Sequence, residues 1–403
     1  NADGNVIVFI SNATNLDNAD RDSRSDVFAF DIQQDSSELI SIDQLSLSQP
    51  ILPLLGEQLN SDSSKRQLSD DGQFLVFTTE ESLDPLDVNG LLDVYRRDRL
   101  TSEIEWISVG SNGISTNPVI SADGNMVAFE SYATNLDPLE TSGSQSIYVR
   151  NISAGTTTLV SINDDESASA DSSSFNPVLS ADGNVVAFES YASNLDFLPH
   201  LGTSNIYVRN IGAGTTQLVS INDEETTKAD SSAYSPVLSA DGNVVAFESG
   251  ATNLDPRANF GFQNIYVRNV SSGTTQLVSV TDDETASANN YSGNPVLSAD
   301  GNVVAFVSNA TNLDPRDASS NQSIYVRNLF AGTTQLVSIT DNESESANNT
   351  SLSPVLSADG TVIAFESTAT NLDLLAPFGY SNIYVRDLEQ GTTRLASIKN
   401  NDS

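Results

Sequence analysis

Residues 179–190 read LSADGNVVAFES, and residues 238–249 read the same twelve letters. A chain that repeats at a fixed interval folds as copies of one supersecondary unit, since a single copy cannot bury its apolar face alone. The Asp of the Asp-Gly pair recurs at Asp3, Asp71, Asp123, Asp182, Asp241, Asp300 and Asp359, which gives seven units. Successive intervals are 68, 52, 59, 59, 59 and 59 residues, so the last five units are nearly uniform. Six residues after each Asp stands a Phe, from Phe9 to Phe365. Nineteen residues beyond it comes Phe28, Tyr148, Tyr207, Tyr266, Tyr325 or Tyr384, with Tyr95 in that role in the shorter second unit.

Within a unit the apolar period is two. PVLS (177–180), VVAFES (185–190), NIYVRN (205–210) and TTQLVSI (215–221) are β-branched and aromatic runs bounded by Gly, Asn, Asp and Ser. They read as four strands, A to D, of an antiparallel meander. The Asp-Gly pair suits a tight A–B hairpin, because Gly takes positive φ freely. Pro118, Pro177, Pro236, Pro295 and Pro354 stand at the start of strand A, which predicts an edge strand there. Seven small sheets arranged radially protect such edges. The expected fold is all-β, a seven-bladed β-propeller of four-stranded antiparallel blades. Its blades fall near 1–43, 65–109, 117–162, 176–221, 235–280, 294–339 and 353–398. Unit one starts at its A–B hairpin, so the first blade is expected to lack its own innermost strand, which lies upstream of Asn1 or downstream of Ser403, is left out, or comes from another molecule by pairing at Val6–Ser11.

Pro236–Ser249 followed by Ile265–Asn269 carries P-x-L-S-x-D-G-x-x-[VI]-A-F-x-S and I-Y-V-R-[DN]. This pattern resembles the TolB-type propeller repeat of bacteria. The S-x-A-T-N-L-D run after strand B is similar to repeats of large secreted or surface-exposed bacterial proteins. The resemblance covers residues 1 to about 398. It implies a propeller and says little of function, since such repeats serve binding, assembly and as accessory parts of enzymes.

Charge narrows the partners. Seventeen basic against 54 acidic side chains give a net charge of −37, which repels nucleic acid and anionic membranes. No apolar run is long enough for membrane insertion. There are no cysteines, so no disulfide framework exists. The first residue is Asn1, in the middle of a repeat, so an upstream segment is expected to be either removed, as by signal cleavage on secretion, or not included. The expected location is extracellular or at the cell surface, with the periplasm as the alternative.

Strand alternation puts the B–C and D–A connections on one rim, and these are the long, variable ones. The rim is expected to carry the acidic clusters 164–166, 223–225 and 282–284, and the B–C aromatics Phe197, Phe260, Phe262, Phe378 and Tyr380. Two B–C loops have oxygen spacing suited to calcium: Asp17, Asp20, Asp22 and Asp26 in unit one, and Asp84, Asp87, Asn89 and Asp93 in unit two. An Arg recurs in strand C at Arg97, Arg150, Arg209, Arg268, Arg327 and Arg386. A structural pair is expected, with the Asp of N-L-D (such as Asp255) or the Glu of strand B (such as Glu248). The only histidine is His200, and no nucleophile elbow, zinc motif or phosphate loop occurs, so the chain is expected not to be an enzyme. The leading expectation is an extracellular scaffold or adhesive propeller that self-assembles through strand completion. The alternative is a secreted or periplasmic binding propeller that takes a protein or small ligand on its acidic face.

Overall fold

The computed structural model describes residues 66–396, apart from 141, 200–201, 260, 318–320 and 374–380. It also gives the backbone of strands Val6–Ser11, Asp26–Asp31 and Ser36–Leu39. The described residues form seven antiparallel sheets and no helix, so none is long and apolar enough to cross a membrane. Sheets three to seven have four strands each, and sheets one and two have three. The first sheet thus has no inner strand among the described residues, as expected. In the second, the inner strand shrinks to a single bridge between Leu68 and Leu75.

Sheet five shows the pattern: Ala233–Leu238, Val244–Ser249, Asn264–Asn269 and Thr274–Leu277, hydrogen-bonded in that order. Strand A is an edge strand, as its proline requires. Yet Pro236 does not open the strand, which begins at Ala233. The register shifts between Tyr234 and Val237, and Ser235 sits there at φ 51. A bulge is where a strand tolerates the missing N–H of proline.

The A–B hairpin also differs from a two-residue turn. Gly301 N–H reaches Ser298 O at 2.9 Å, and Ser298 Oγ donates to Asp300 Oδ1 at 2.5 Å and accepts from Val303 N–H at 2.9 Å. Asp300 caps the turn with its side chain, and Gly301 alone takes positive φ, at 74. These tips join successive sheets. Ala240 N–H donates to Ala299 O, and Ala299 N–H to Ala358 O, at 2.9 and 2.8 Å. That joint explains why S-A-D-G recurs letter for letter.

The chain divides into two compact units, Asn1–Asp196 with Arg209–Thr216, and Phe197–Val208 with Gln217–Ser403. Each is cored by sheet-on-sheet packing. In the second unit, Val237, Ala246, Ile265, Val267 and Val278 of sheet five pack on Val304, Phe306, Tyr325 and Leu336 of sheet six. Sheet six repeats the arrangement on Ile363, Phe365, Tyr384 and Leu395 of sheet seven. In the first unit, Val76, Val94 and Ile107 meet Ile120, Val127, Phe129 and Tyr148 in the same way. The Phe and Tyr of each sheet are cross-strand partners, with Phe306 and Tyr325 rings stacked 5.9 Å apart. The nineteen-residue Phe-to-Tyr interval is the register of this pair.

Gly301 is needed twice over, for its φ and because a Cβ there would stand 2.7 Å from Val244 Cβ of the preceding sheet. Gly301→Ala is expected to cost roughly 2–4 kcal/mol, combining the positive-φ and overpacking penalties. Urea denaturation of the variant checks this, and a loss near zero would refute the close approach.

Candidate functional site

After strand D the chain makes a short hairpin before it enters the next sheet. Ile221 and Lys228 form its bridge, and Glu225 N–H closes a turn on Asn222 O at 2.9 Å. Glu225 then sits at φ 54, and Glu166, Glu284 and Glu343 at 56, 56 and 55. Gly is the usual residue after such a turn, because positive φ costs a side chain about 1–2 kcal/mol. Glu stands there because of what its carboxylate reaches.

Arg268 of the next sheet donates to Glu225 Oε1 at 2.5 Å. Arg209, Arg327 and Arg386 donate in the same way to Glu166, Glu284 and Glu343. Two residues before each Glu, an Asp accepts a strand D amide: Thr275 N–H donates to Asp223 at 2.6 Å. Asp164, Asp282 and Asp341 hold Thr216, Thr334 and Thr393 likewise. The Thr275 hydroxyl donates to Ile221 O and accepts from Arg268, both at 2.9 Å. Arg268 is 3% exposed and Glu225 61%. Burial pulls the Arg268, Arg327 and Arg386 guanidiniums down from their ordinary pKa, and the facing glutamates push back.

These four arginines therefore pair with the turn glutamates, where the sequence suggested the N-L-D Asp or the strand B Glu. Those acids have other donors. Asp255 takes Arg257 through Nε at 2.9 Å and Nη2 at 2.8 Å, and Asp314 takes Arg316 in the same fork. Glu130 and Glu248 each accept the N–H of a positive-φ bulge residue in the following sheet, Asn176 and Asn294, at 2.7 Å. The acidic clusters are likewise no free rim. Their first and third members clasp the C–D end of the next sheet while remaining exposed on their other side, as the middle member is. The S-x-A-T-N-L-D run is also framework: Asn253 accepts from Asp230 N–H at 3.0 Å and donates to Lys228 O at 2.7 Å.

The loop of the second repeat, Asp84 to Asp93, expected to hold calcium, is filled with donors instead. Tyr95 donates its hydroxyl to Asp87. Asp93 receives Asn89 Nδ2 at 2.8 Å, Trp106 Nε1 at 3.0 Å and Ser108 Oγ at 2.5 Å. Asp84 caps Leu86 N–H at 2.8 Å. Burial pushes the Asp93 carboxyl up, with nearby Asp87 adding to it, against those three hydrogen bonds. Asn89 turns its amide nitrogen, not its oxygen, toward Asp93, so the four do not fit a shared oxygen cage. Among the described residues no three His, Cys, Asp or Glu side chains are grouped for a metal. Asp17, Asp20 and Asp22 lie outside the described residues, and Asp26 begins a strand known by its backbone.

Of the B–C aromatics, Phe197 is 99% exposed. Phe262 is also exposed, while Phe260, Phe378, Tyr380 and His200 lie outside the described residues. Sequence reading missed the Phe175–Tyr191 ring pair, 5.6 Å apart, and exposed Tyr132, because both stand at strand ends among residues that vary between repeats.

No family model matches the sequence, and no curated protein does. Solved structures do. The β-propeller domain of the Trilobed protease from Pyrococcus furiosus is 9% identical, with 99% of this chain and 96% of that one covered and a TM-score of 0.55. An oligogalacturonate lyase in complex with manganese is 13% identical over 95% of this chain and 86% of that one, at 0.53. TolB from Acinetobacter baumannii is 15% identical over 92% and 75%, at 0.42. The chain has the β-propeller fold. The expectation that it is not an enzyme does not stand, since the same fold serves a lyase.

Glu225→Ala is expected to cost about 1–2 kcal/mol, the worth of a charge-assisted hydrogen bond screened on one side. Glu225→Gly loses the same clasp but relieves the positive φ, so it should come out about 1 kcal/mol more stable than the Ala variant. Equal losses in urea would show that the turn is not strained. A second test concerns pH. Burial alone would raise the Asp255 carboxyl, but the hydrogen bonds and charge of Arg257 hold it below the ordinary 3.8. Such a group stabilises the fold above its unfolded pKa, and the contribution is lost as pH falls through the folded one. Asp255→Asn should therefore lower the melting temperature at neutral pH and converge on the parent below that range. A gap that is constant with pH would contradict it.

Proposed function

We propose that this protein is an extracellular scaffold or adhesive propeller that assembles through strand completion. The observation that carries the reading is the first sheet, which has three strands among the described residues and has Val6–Ser11 at its edge, the kind of edge that recruits pairing.

A second reading, a secreted or periplasmic propeller that binds a protein or small ligand, is favoured by the bare Phe197 ring. It moves the binding surface from the acidic clusters to the B–C loops.

Light scattering of the full chain across a concentration series, with negative-stain imaging of native extract, separates the two. Mass that grows with concentration and ordered arrays support the scaffold. A monodisperse single chain at all concentrations rejects it in favour of the binding propeller.

A further inference from the structure

The glutamate clasp recurs from joint to joint, and at the joint between sheets two and three only its receiving half is present. There the chain enters strand Ser115–Ile120 through a tight turn, with Ser111 N–H on Ser108 O at 3.0 Å. Only Val109 and Gly110 stand between those serines, whereas residues 162–169 form a hairpin between Ser161 and Ala170 after sheet three. The Asp and Glu of that hairpin therefore have no counterpart ahead of sheet three. Their receivers do: Arg150 and Thr157 are cross-strand partners, as Arg268 and Thr275 are in sheet five.

This receiving half is open. Arg150 gives Nη1 to Gly155 O at 2.9 Å and to Thr157 Oγ1 at 3.3 Å, and no carboxylate meets it among the described residues. Its Nε is buried without a hydrogen-bond partner, which native folds seldom leave uncompensated. Arg150 and Thr157 are half-buried, whereas Arg209, Arg268, Arg327 and Arg386 and their threonines are buried. The glycine of the C–D turn marks where the carboxylate is missing. A Cβ on Gly214, Gly273, Gly332 or Gly391 would stand 3.0, 3.0, 3.1 or 3.1 Å from Oε1 of the clasping glutamate, while one on Gly155 would meet nothing within 4 Å.

We infer that this corner of sheet three is a binding site for an acidic peptide turn of the D-x-E kind. Its glutamate meets Arg150 and its aspartate the Thr157 amide. The ligand chemistry is read from the molecule itself, where Glu166, Glu225, Glu284 and Glu343 occupy the equivalent corners. The occupant is a loop of a partner protein rather than of a second copy, because the turns 164–166, 223–225, 282–284 and 341–343 are each engaged within their own chain. The net charge of −37 opposes an acidic face, so the partner presents a single acidic turn. The inference goes beyond the scaffold reading and does not depend on strand completion.

The probe is a fluorescent cyclic peptide containing INDDESAS, the sequence of residues 162–169, closed so that its glutamate is held in the turn. Anisotropy with the full chain should show saturable binding that weakens as salt rises. Changing the peptide's glutamate to glutamine, or Arg150→Gln in the protein, should each weaken binding roughly tenfold or more, the worth of a charge-assisted hydrogen bond. Replacing Val109–Gly110 with residues 162–169 supplies the turn from the chain itself, and should block the peptide and raise the melting temperature. A parent chain that does not take the peptide, or binding that survives Arg150→Gln, overturns the inference. A graft that folds and still binds the peptide overturns it too. So does protection of Arg150 from phenylglyoxal in the free protein, since the corner would then be filled by the same chain. No arm reads self-association, so failure here leaves strand completion standing.

Discussion

A carboxylate held at the tip of a turn where glycine would ordinarily sit is what the joints between these sheets depend on. Each such glutamate reaches past its own sheet to a guanidinium that the next sheet has buried. Removing an arginine's hydration is costly, and in surroundings of low dielectric the facing charge restores much of that cost. The cost of the unfavourable backbone and the gain of the ion pair arise together, so neither is present without docking. That coupling makes the pair a specifier of which sheet meets which, beyond its modest worth in stability. The aspartate two residues earlier reinforces it by capping a strand D amide at the outer edge, where water would otherwise compete.

The same geometry changes the meaning of the acidic composition. Many carboxylates that look like an exposed field are partners of backbone amides, threonines and arginines. In the second unit they extend into short chains of alternating charge, as where Asp255, Arg257, Glu284 and Arg327 follow one another. Six of the seventeen basic side chains lie in these joints: Arg209, Arg257, Arg268, Arg316, Arg327 and Arg386. The net charge of −37 keeps the surface repulsive to polyanions.

The fold was legible because its signal is repetition and period, and both survive local irregularity. The alternation in VVAFES and NIYVRN placed two strands per sheet to the residue. Strand A was harder to bound, since a bulge at Asn176 or Ser235 interrupts the period-two pattern and makes the proline look like a beginning. The clasp was also present in the letters. The clusters read DDE, DEE, DDE and DNE at 164–166, 223–225, 282–284 and 341–343, so the first and third positions are constant while the middle one varies. Constancy at the third position, 43 residues before an arginine each time, was the usable clue. It was hidden because a glutamate at positive φ is not what turn chemistry leads one to expect. Local rules fail most often where a distant contact requires it. In the loop of Asp84, Asp87, Asn89 and Asp93 the spacing counts oxygens but does not say which donors hold them.

The joints are nearly copies of one another, and this bears on how the chain could grow or shrink. A cut at one position of the 59-residue period, rejoined at the same position of another copy, restores the Glu–Arg pair and the Asp–amide bond across the seam. Nothing in an individual joint records how many sheets precede it. Sheet number is then open to drift by unequal recombination.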